Sequence, residues 1–401
     1  MTEKTKSGKN VVIDTKNIGL RGIPVADTKI ALVNGKKGEL EYRGYNIRDL
    51  AKHSNFEEVA YLLLYGVLPT LNELTEFKKA ILTERELPDQ VMEYLKVRSA
   101  SASSMNVLQS TIPILADFDP DLQVNDKDAN RRMGVRLISK VATVVAAWSR
   151  IRKDLEPVKP DRSLSHAANF LYMMSGVKPN EAVERDINTI FILHADHSFN
   201  ASTFAAREVT STRAHMYAAV SAAVGALSGE LHGGANTKVM NALLEIGEPS
   251  RVEKWVKARL KKGGRVMGMG HAVYKTVDPR AVILKEISER IGKQTGKSEW
   301  HEMTQLMEKS TQKELWRLKQ RRIYPNVDLY SAPVYCMLGI DVDLYTPVFA
   351  VQRMVGWVAH IIEEKFAEAQ PKSMLYRPSA VYIGRYCGDP SCKYIPIEKR
   401  E

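Results

Sequence analysis

The sequence predicts an all-α protein, helical in two domains or in one large domain with a smaller lobe, carrying one small N-terminal β-hairpin. Three observations predict it. Apolar residues recur at helical spacing through most of the chain after residue 50. Nearly the only β signal is KIALVNGKKGELEYRG, 29–44, two short alternating runs around Asn34-Gly35-Lys36-Lys37-Gly38. The 401 residues exceed one average domain and hold no internal repeat or low-complexity linker.

The first 20 residues are polar, and the hairpin follows. FEEVAYLLLYG, 56–66, has Ser54-Asn55 as its cap, glutamates in its first turn and Gly66 at its end, so it reads as a helix. Pro69-Thr70 opens the next, apolar at Leu71, Leu74, Phe77 and Ile81. A long helix is expected over about 130–152. SLSHAANFLYMMSG, 163–176, carries a serine cap and a closing glycine, and EAVERDINTIFILHADH follows a cap at Asn180. An Ala-rich run predicts one long helix from about Ser202 to Leu227, its small side chains suited to close packing against neighbouring helices or across a subunit interface. Shorter helices are expected near 237–246, 250–261, 279–291 and 298–318. A final long one spans 346–366, followed by a tail with YRPSAVYIG.

Composition narrows the function. No run of 18 apolar residues occurs, which argues against a membrane span. The N-terminus has lysines but no apolar segment, which argues against a secretory signal and points to the cytoplasm. Three cysteines, Cys336, Cys387 and Cys392, are too few for a disulfide framework or a four-thiolate zinc site. The net charge of +11 implies anionic partners. Lys and Arg are scattered among Asp and Glu, so a polyanionic small molecule fits as well as nucleic acid.

Five stretches place polar groups where a helical scaffold does not need them. LHGGANTKVM, 231–240, is a helix–turn–helix corner in which Asn236 can cap the next helix. His232 is there either a turn residue or a hydrogen-bonding group for a reacting oxygen. HADHSFN, 194–200, spaces His194 and His197 at i, i+3 on one helix face; a metal pair is one reading, histidines satisfied by backbone or by an anionic ligand the other. GGRVMGMGHAVYKTVDPR, 263–280, exposes backbone amides beside His271 without matching a nucleotide-binding loop, and Arg280 beyond it suits a carboxylate. In PNVDLYS, Asp328 lies between apolar neighbours that raise its basicity, or it caps a helix starting near Ser331. Arg353 interrupts an apolar helix face and is costly to bury without an anion, while Arg377 is either solvated or reaches another subunit. Arginines converging on one site imply a di- or tricarboxylate.

These residues, in these contexts and this order, resemble the citrate synthase family, in its shorter dimeric bacterial and archaeal type. The similarity runs from about Gly19 to Gly384 and includes GELEYRGYNIRDLA, FEEVAYLLLYGVLP, LHADHSFNAS, LHGGAN, GHAVYKTVDPR, YPNVDLYS and RPSAVYIG. The resemblance implies a homodimer with a large domain over 1–232 and 334–401 and a small domain over 233–333. It implies an acyltransferase that condenses acetyl-CoA with oxaloacetate to citryl-CoA and hydrolyses that to citrate and CoA. By position, Asp328 matches the base for the methyl proton, His232 the partner of the enolate oxygen, and His271 the group that polarises the oxaloacetate carbonyl. His197, Arg280, Arg353 and Arg377 match carboxylate ligands, Arg377 coming from the partner subunit. Val266, Met267, Gly268, Met269, Gly270 and Lys275 match positions that contact CoA. No permanent cofactor, metal, nucleic acid or membrane is implied. Glu230 stands where the family usually has proline, and 103–109 lacks the family's usual His or Arg. The near rival is 2-methylcitrate synthase, using propionyl-CoA. Rivals of other classes are a basic binding protein without catalysis and a metallohydrolase built on His194, His197, His232 and His271.

Overall fold

The computed structural model describes residues 19, 20, 22–385 and 394–400, with the strands β1 (Thr2–Lys4) and β2 (Asn10–Val12), which pair antiparallel. Cys387 and Cys392 lie outside the described residues. The expected hairpin is β3 (Ala31–Asn34) and β4 (Glu39–Tyr42), in the register Ala31 opposite Tyr42, with a two-residue β5 (Tyr45–Asn46) added at its edge.

Helices make up nearly all the rest. The first five are α1 (Ile47–His53), α2 (Phe56–Tyr65), α3 (Leu71–Thr83), α4 (Asp89–Lys96) and α5 (Ser104–Ala116). Then come α6 (Lys127–Ile151), α7 (His166–Ser175), α8 (Glu181–His194), α9 (Ala201–Ser211) and α10 (Met216–Ser228). The chain goes on through α11 (Gly234–Ile246), α12 (Val252–Lys261), α13 (Pro279–Thr295), α14 (Ser298–Lys319), α15 (Val327–Met337) and α16 (Tyr345–Lys365). Local chemistry sets the ends. Thr70 and Glu73 form a reciprocal capping box on α3, and Asn55, Asp126, Ser165 and Asn180 each accept a backbone N–H of the first turn that follows.

The core is arranged around α16. From Val348 onward its residues are buried on nearly every side, against α2, α6, α8, α9 and α10. Its largely apolar faces are covered by this wrapping, which also buries Gln352, Arg353, His360 and Glu363. Helices α11 to α15 pack mainly on one another and meet the remainder through α11 against α16 and α13 against α1 and α8.

The structure departs from the sequence expectations at four places. The Ala-rich run is two helices, because Arg213 turns left-handed at φ 68° and His215 caps the second through Nδ1 on the Ala218 amide at 3.2 Å. No Gly or Pro marks that break. The helix after His232 begins at Gly234, so Asn236 lies inside it and does not cap it; its amide donates to Ser331 Oγ at 3.0 Å. The last-but-one helix starts at Val327 with Asn326 as its cap, which leaves Asp328 in the first turn. Helix α8 ends at His194, so His194 and His197 share no helix face. The buried His194 ring turns back to the Ile190 carbonyl at 2.8 Å.

Candidate active site

Four chain segments meet α16 at one cleft, and each is fixed by its own local chemistry. The segment before α9 is held from behind by Tyr42 at the end of β4. Its hydroxyl donates to the Asp196 carbonyl at 2.9 Å and accepts the Asp196 N–H at 3.2 Å, which sets where His197 emerges. The His232 corner closes on Gly229, whose carbonyl accepts the N–H groups of His232 and Gly233. The loop before α13 and the start of α15 are tied together by Asn326. Its Nδ2 donates to the Gly270 carbonyl at 2.8 Å, its N–H to the Gly268 carbonyl at 2.9 Å, and its Oδ1 accepts the Asp328 N–H at 3.0 Å. Gly268, at φ 78°, lets the two stretches touch: a Cβ there would stand 2.9 Å from Leu329 Cα.

The cleft has a volume of about 580 Å³ and is lined by His197, His232, His271, Arg280, Asp328 and Arg353. The histidine hydrogen bonds decide which ring nitrogen carries the proton. His271 Nδ1 accepts the N–H groups of Val273 at 2.9 Å and Tyr274 at 3.2 Å, so Nε2 is the N–H of the neutral ring. The Ser202 backbone N–H points at His232 Nε2 at 3.3 Å, and because an amide nitrogen only donates, His232 carries its proton on Nδ1. Ser202 Oγ adds a 2.8 Å contact to the same nitrogen and is itself held by the Trp357 indole N–H at 3.1 Å. Burial pushes both rings down to about 4, His232 aided by Arg353 and His271 by Arg280. They are neutral donors at pH 7. His197, also held well below the usual histidine range by burial, lies with its ring centroid 5.3 Å from that of His271.

Asp328 runs the other way. Burial pushes its carboxyl up to about 6, more than the Arg280 charge lowers it. Arg353 is fully buried in α16, with its Nε donating to the His194 carbonyl at 2.6 Å and its guanidinium 4.7 Å from the Phe349 ring centre. Among the described residues its two Nη groups have no protein partner, and burial holds it down to about 10, the pattern of a cation arranged for an anionic ligand. Arg280 differs from the sequence expectation of an open carboxylate ligand. Two of its nitrogens are engaged by Asp278, Nε at 3.0 Å and Nη2 at 2.8 Å, which leaves Nη1 for a ligand.

The remaining candidates lie elsewhere. Met267 lines a neighbouring cavity of about 680 Å³ with Lys238, Arg259 and Arg265, and Leu231 borders both spaces. Val266 and Gly268 are buried, Met269 bridges Pro325, and Gly270 takes φ 90°, its N–H on the Tyr324 carbonyl. Lys275 is exposed, and it does not line the cleft. Arg377 is exposed on the tail and does not line the cleft of its own chain. Among the described residues no cluster of His, Cys, Asp or Glu is arranged to hold a metal ion. No described helix is long and apolar enough to cross a membrane.

Sequence reasoning missed Ser202, Trp357, Tyr274 and Asp278. Asp278 had a usable signal, an acid just before Pro279 at a helix start. Ser202 and Trp357 had none, since a serine in a first turn and a tryptophan in an apolar helix look like ordinary framework.

One cleft therefore holds a basic carboxylate, two neutral imidazole donors and a buried guanidinium whose Nη groups are unpaired among the described residues, and comparison with known proteins gives this constellation its context. The family model described as citrate synthase, C-terminal domain, matches residues 19–379. The chain belongs to the citrate synthase family. It is 42% identical over 387 residues to citrate synthase 2 of Bacillus subtilis, covering 96% of this chain and 100% of that one. It is 38% identical over 366 residues to a 2-methylcitrate synthase of Mycobacterium tuberculosis, covering 91% and 90%. The crystal structure of citrate synthase from Pyrobaculum aerophilum superposes with a TM-score of 0.87 at 38% identity, covering 100% of this chain and 98% of that one. A second citrate synthase, from Thermoplasma acidophilum in a ternary complex with carboxymethyl coenzyme A and oxaloacetate, reaches 0.85 at 32%, covering 94% and 98%. The all-α architecture expected from the sequence is thus that of citrate synthases.

Proposed function

We propose that this protein condenses acetyl-CoA with oxaloacetate and hydrolyses the product to citrate and free CoA, in the cleft that holds Asp328, His232 and His271. The observation that carries the reading is the opposed tuning of these groups, a carboxylate made more basic beside two imidazoles kept neutral. A thioester methyl is a weak carbon acid. Removing its proton requires a base and, at the same moment, a donor for the oxygen that becomes enolate. Asp328 takes the proton, and His232 donates from Nδ1 to the thioester oxygen. The enol carbon attacks the oxaloacetate ketone carbon, while His271 donates from Nε2 to the ketone oxygen and protonates it as the new C–C bond forms. Water then cleaves the citryl-CoA thioester, releasing CoA as the thiol.

His197, Arg353 and Nη1 of Arg280 hold the oxaloacetate carboxylates. Arg377 adds a further clamp from the partner subunit, in keeping with its exposure on an extended tail. CoA approaches through the adjoining cavity, passing the 266–270 backbone, with Lys275 as a further CoA contact and Arg259 and Arg265 available to its phosphates. Residues 233–333 act as the small domain that closes over both substrates, and the Ala-rich α9 and α10 lie in the dimer contact. No permanent cofactor takes part, and the enzyme works in the cytoplasm.

The preference for acetyl-CoA rests on the sequence around the base, NVDLYS. One methylene changes discrimination by only ~1–3 kcal/mol, so the test is quantitative. Thiol release should show a larger kcat/KM for acetyl-CoA than for propionyl-CoA with oxaloacetate as co-substrate; the reverse order reassigns the protein to 2-methylcitrate synthesis.

A further inference from the structure

The β3–β4 hairpin does more than fill the N-terminal end of the fold. Its Tyr42 end pins the backbone just before His197, and its tip lies against the loop that carries His271. At that tip the Lys275 N–H donates to the Gly35 carbonyl at 2.8 Å. A Cβ on Gly35 would stand 2.3 Å from the Val273 carbonyl oxygen, and one on Gly38 would stand 2.8 Å from Thr276 Cγ2 and 2.9 Å from the Val277 carbonyl oxygen. Gly35 does not have the left-handed backbone that favours glycine, so only this close approach calls for one there. Val273 and Lys275, which it meets, flank Tyr274, and the amides of Val273 and Tyr274 are the ones that donate to His271 Nδ1. Val33, beside the tip, lines the cleft itself.

We infer that the hairpin tip, through Gly35, is a positioning element for the reaction, a strut that sets the His271 loop relative to the His197 segment. The inference rests on the roles proposed above for His271 and His197. A side chain at Gly35 pushes the 273–275 backbone away, and the two amides that orient His271 move with it. The loss then falls on oxaloacetate binding and carbonyl polarisation together, not on the amount of folded enzyme.

The test compares Gly35→Ala and Gly35→Val with Lys36→Ala, whose exposed side chain leaves the tip unchanged. Steady-state thiol release should show KM for oxaloacetate raised at least fivefold and kcat/KM lowered at least tenfold for Gly35→Ala, more for Gly35→Val, with Lys36→Ala like wild type. An active wild type whose Gly35→Ala keeps both constants overturns the positioning role alone. A wild type that releases no thiol overturns the functional reading beneath it. Should the glycine variants fail to fold, hydrogen exchange of the wild-type peptide 272–278 decides: slow exchange at Lys275 with oxaloacetate present supports the strut, and unprotected exchange with and without it refutes the contact.

Discussion

Asp328 shows most clearly how a local environment prepares a residue for chemistry. Its carboxyl is raised from 3.8 to about 6 by burial, so the folded protein holds that proton more tightly than the unfolded chain does. Two outcomes follow. As the proposed base, Asp328 works as the carboxylate, so kcat/KM should fall as pH drops through about 6, while His232 and His271, already neutral, add no limb between pH 5 and 8. A flat pH–rate profile down to pH 5 contradicts the assignment. Asp328→Asn should lower kcat by roughly 10²–10⁴-fold, with oxaloacetate binding nearly unchanged. The same change should stabilise the fold at pH 8 by roughly 1–3 kcal/mol, because the cost of the buried carboxyl sets in as pH rises above 3.8, where the unfolded chain ionises, and is complete above about 6. That gain should vanish below pH 3.8, where the carboxyl is protonated in both states; denaturant melts at the two pH values measure it. The cleft-lining residues stood out in the sequence as candidates by their local contexts, each with an ordinary framework reading beside it, and the roles proposed for them came from the resemblance of the motifs taken together. Their helpers did not stand out, since Ser202 and Trp357 owe their places on His232 to contacts formed only in the folded chain.

Elements were legible where their ends carry punctuation. Helices with Asn, Ser, Thr or Asp caps and glycine stops were found close to their true bounds, and so was the hairpin. The break between α9 and α10 was not, because Arg213 and His215 do the work usually left to glycine and proline. The close crossing of α16 over the His194–Asp196 turn was equally invisible. There Gly356 meets that turn so closely that a Cβ would stand 2.3 Å from the Ala195 carbonyl oxygen and 2.6 Å from Asp196 Oδ1. Both sides are fully buried, so neither gives way freely. Gly356→Ala should therefore cost about 1–3 kcal/mol in a denaturant melt and weaken oxaloacetate binding, through the displacement of His197. A melt unchanged from wild type means the turn relaxes and does not fix the site.

The whole molecule matters because one proposed ligand, Arg377, does not reach the cleft of its own chain. In a homodimer with the tails exchanged, each site joins Asp328 of one subunit to Arg377 of the other. Arg377→Ala should weaken oxaloacetate binding by roughly tenfold or more, the loss of a charge-assisted contact. Mixing it with Asp328→Asn by co-expression should restore activity, because half of the chains pair as heterodimers and each of these has one intact site. Random pairing predicts about a quarter of wild-type activity. If Arg377 served its own chain, no heterodimer site would be intact, and at limiting oxaloacetate the mixture would show only the weak activity of the Arg377→Ala sites. This assembly is the part of the account that a single sequence reveals only by resemblance, since no local pattern encodes the path of a tail onto another subunit. The central claim is the condensation itself, and it is tested most directly by following free thiol and citrate when the purified enzyme is given acetyl-CoA and oxaloacetate. Both products should form in equal amounts, dependent on both substrates and abolished by Asp328→Asn. Thiol release without oxaloacetate, or without citrate formed, would contradict that claim.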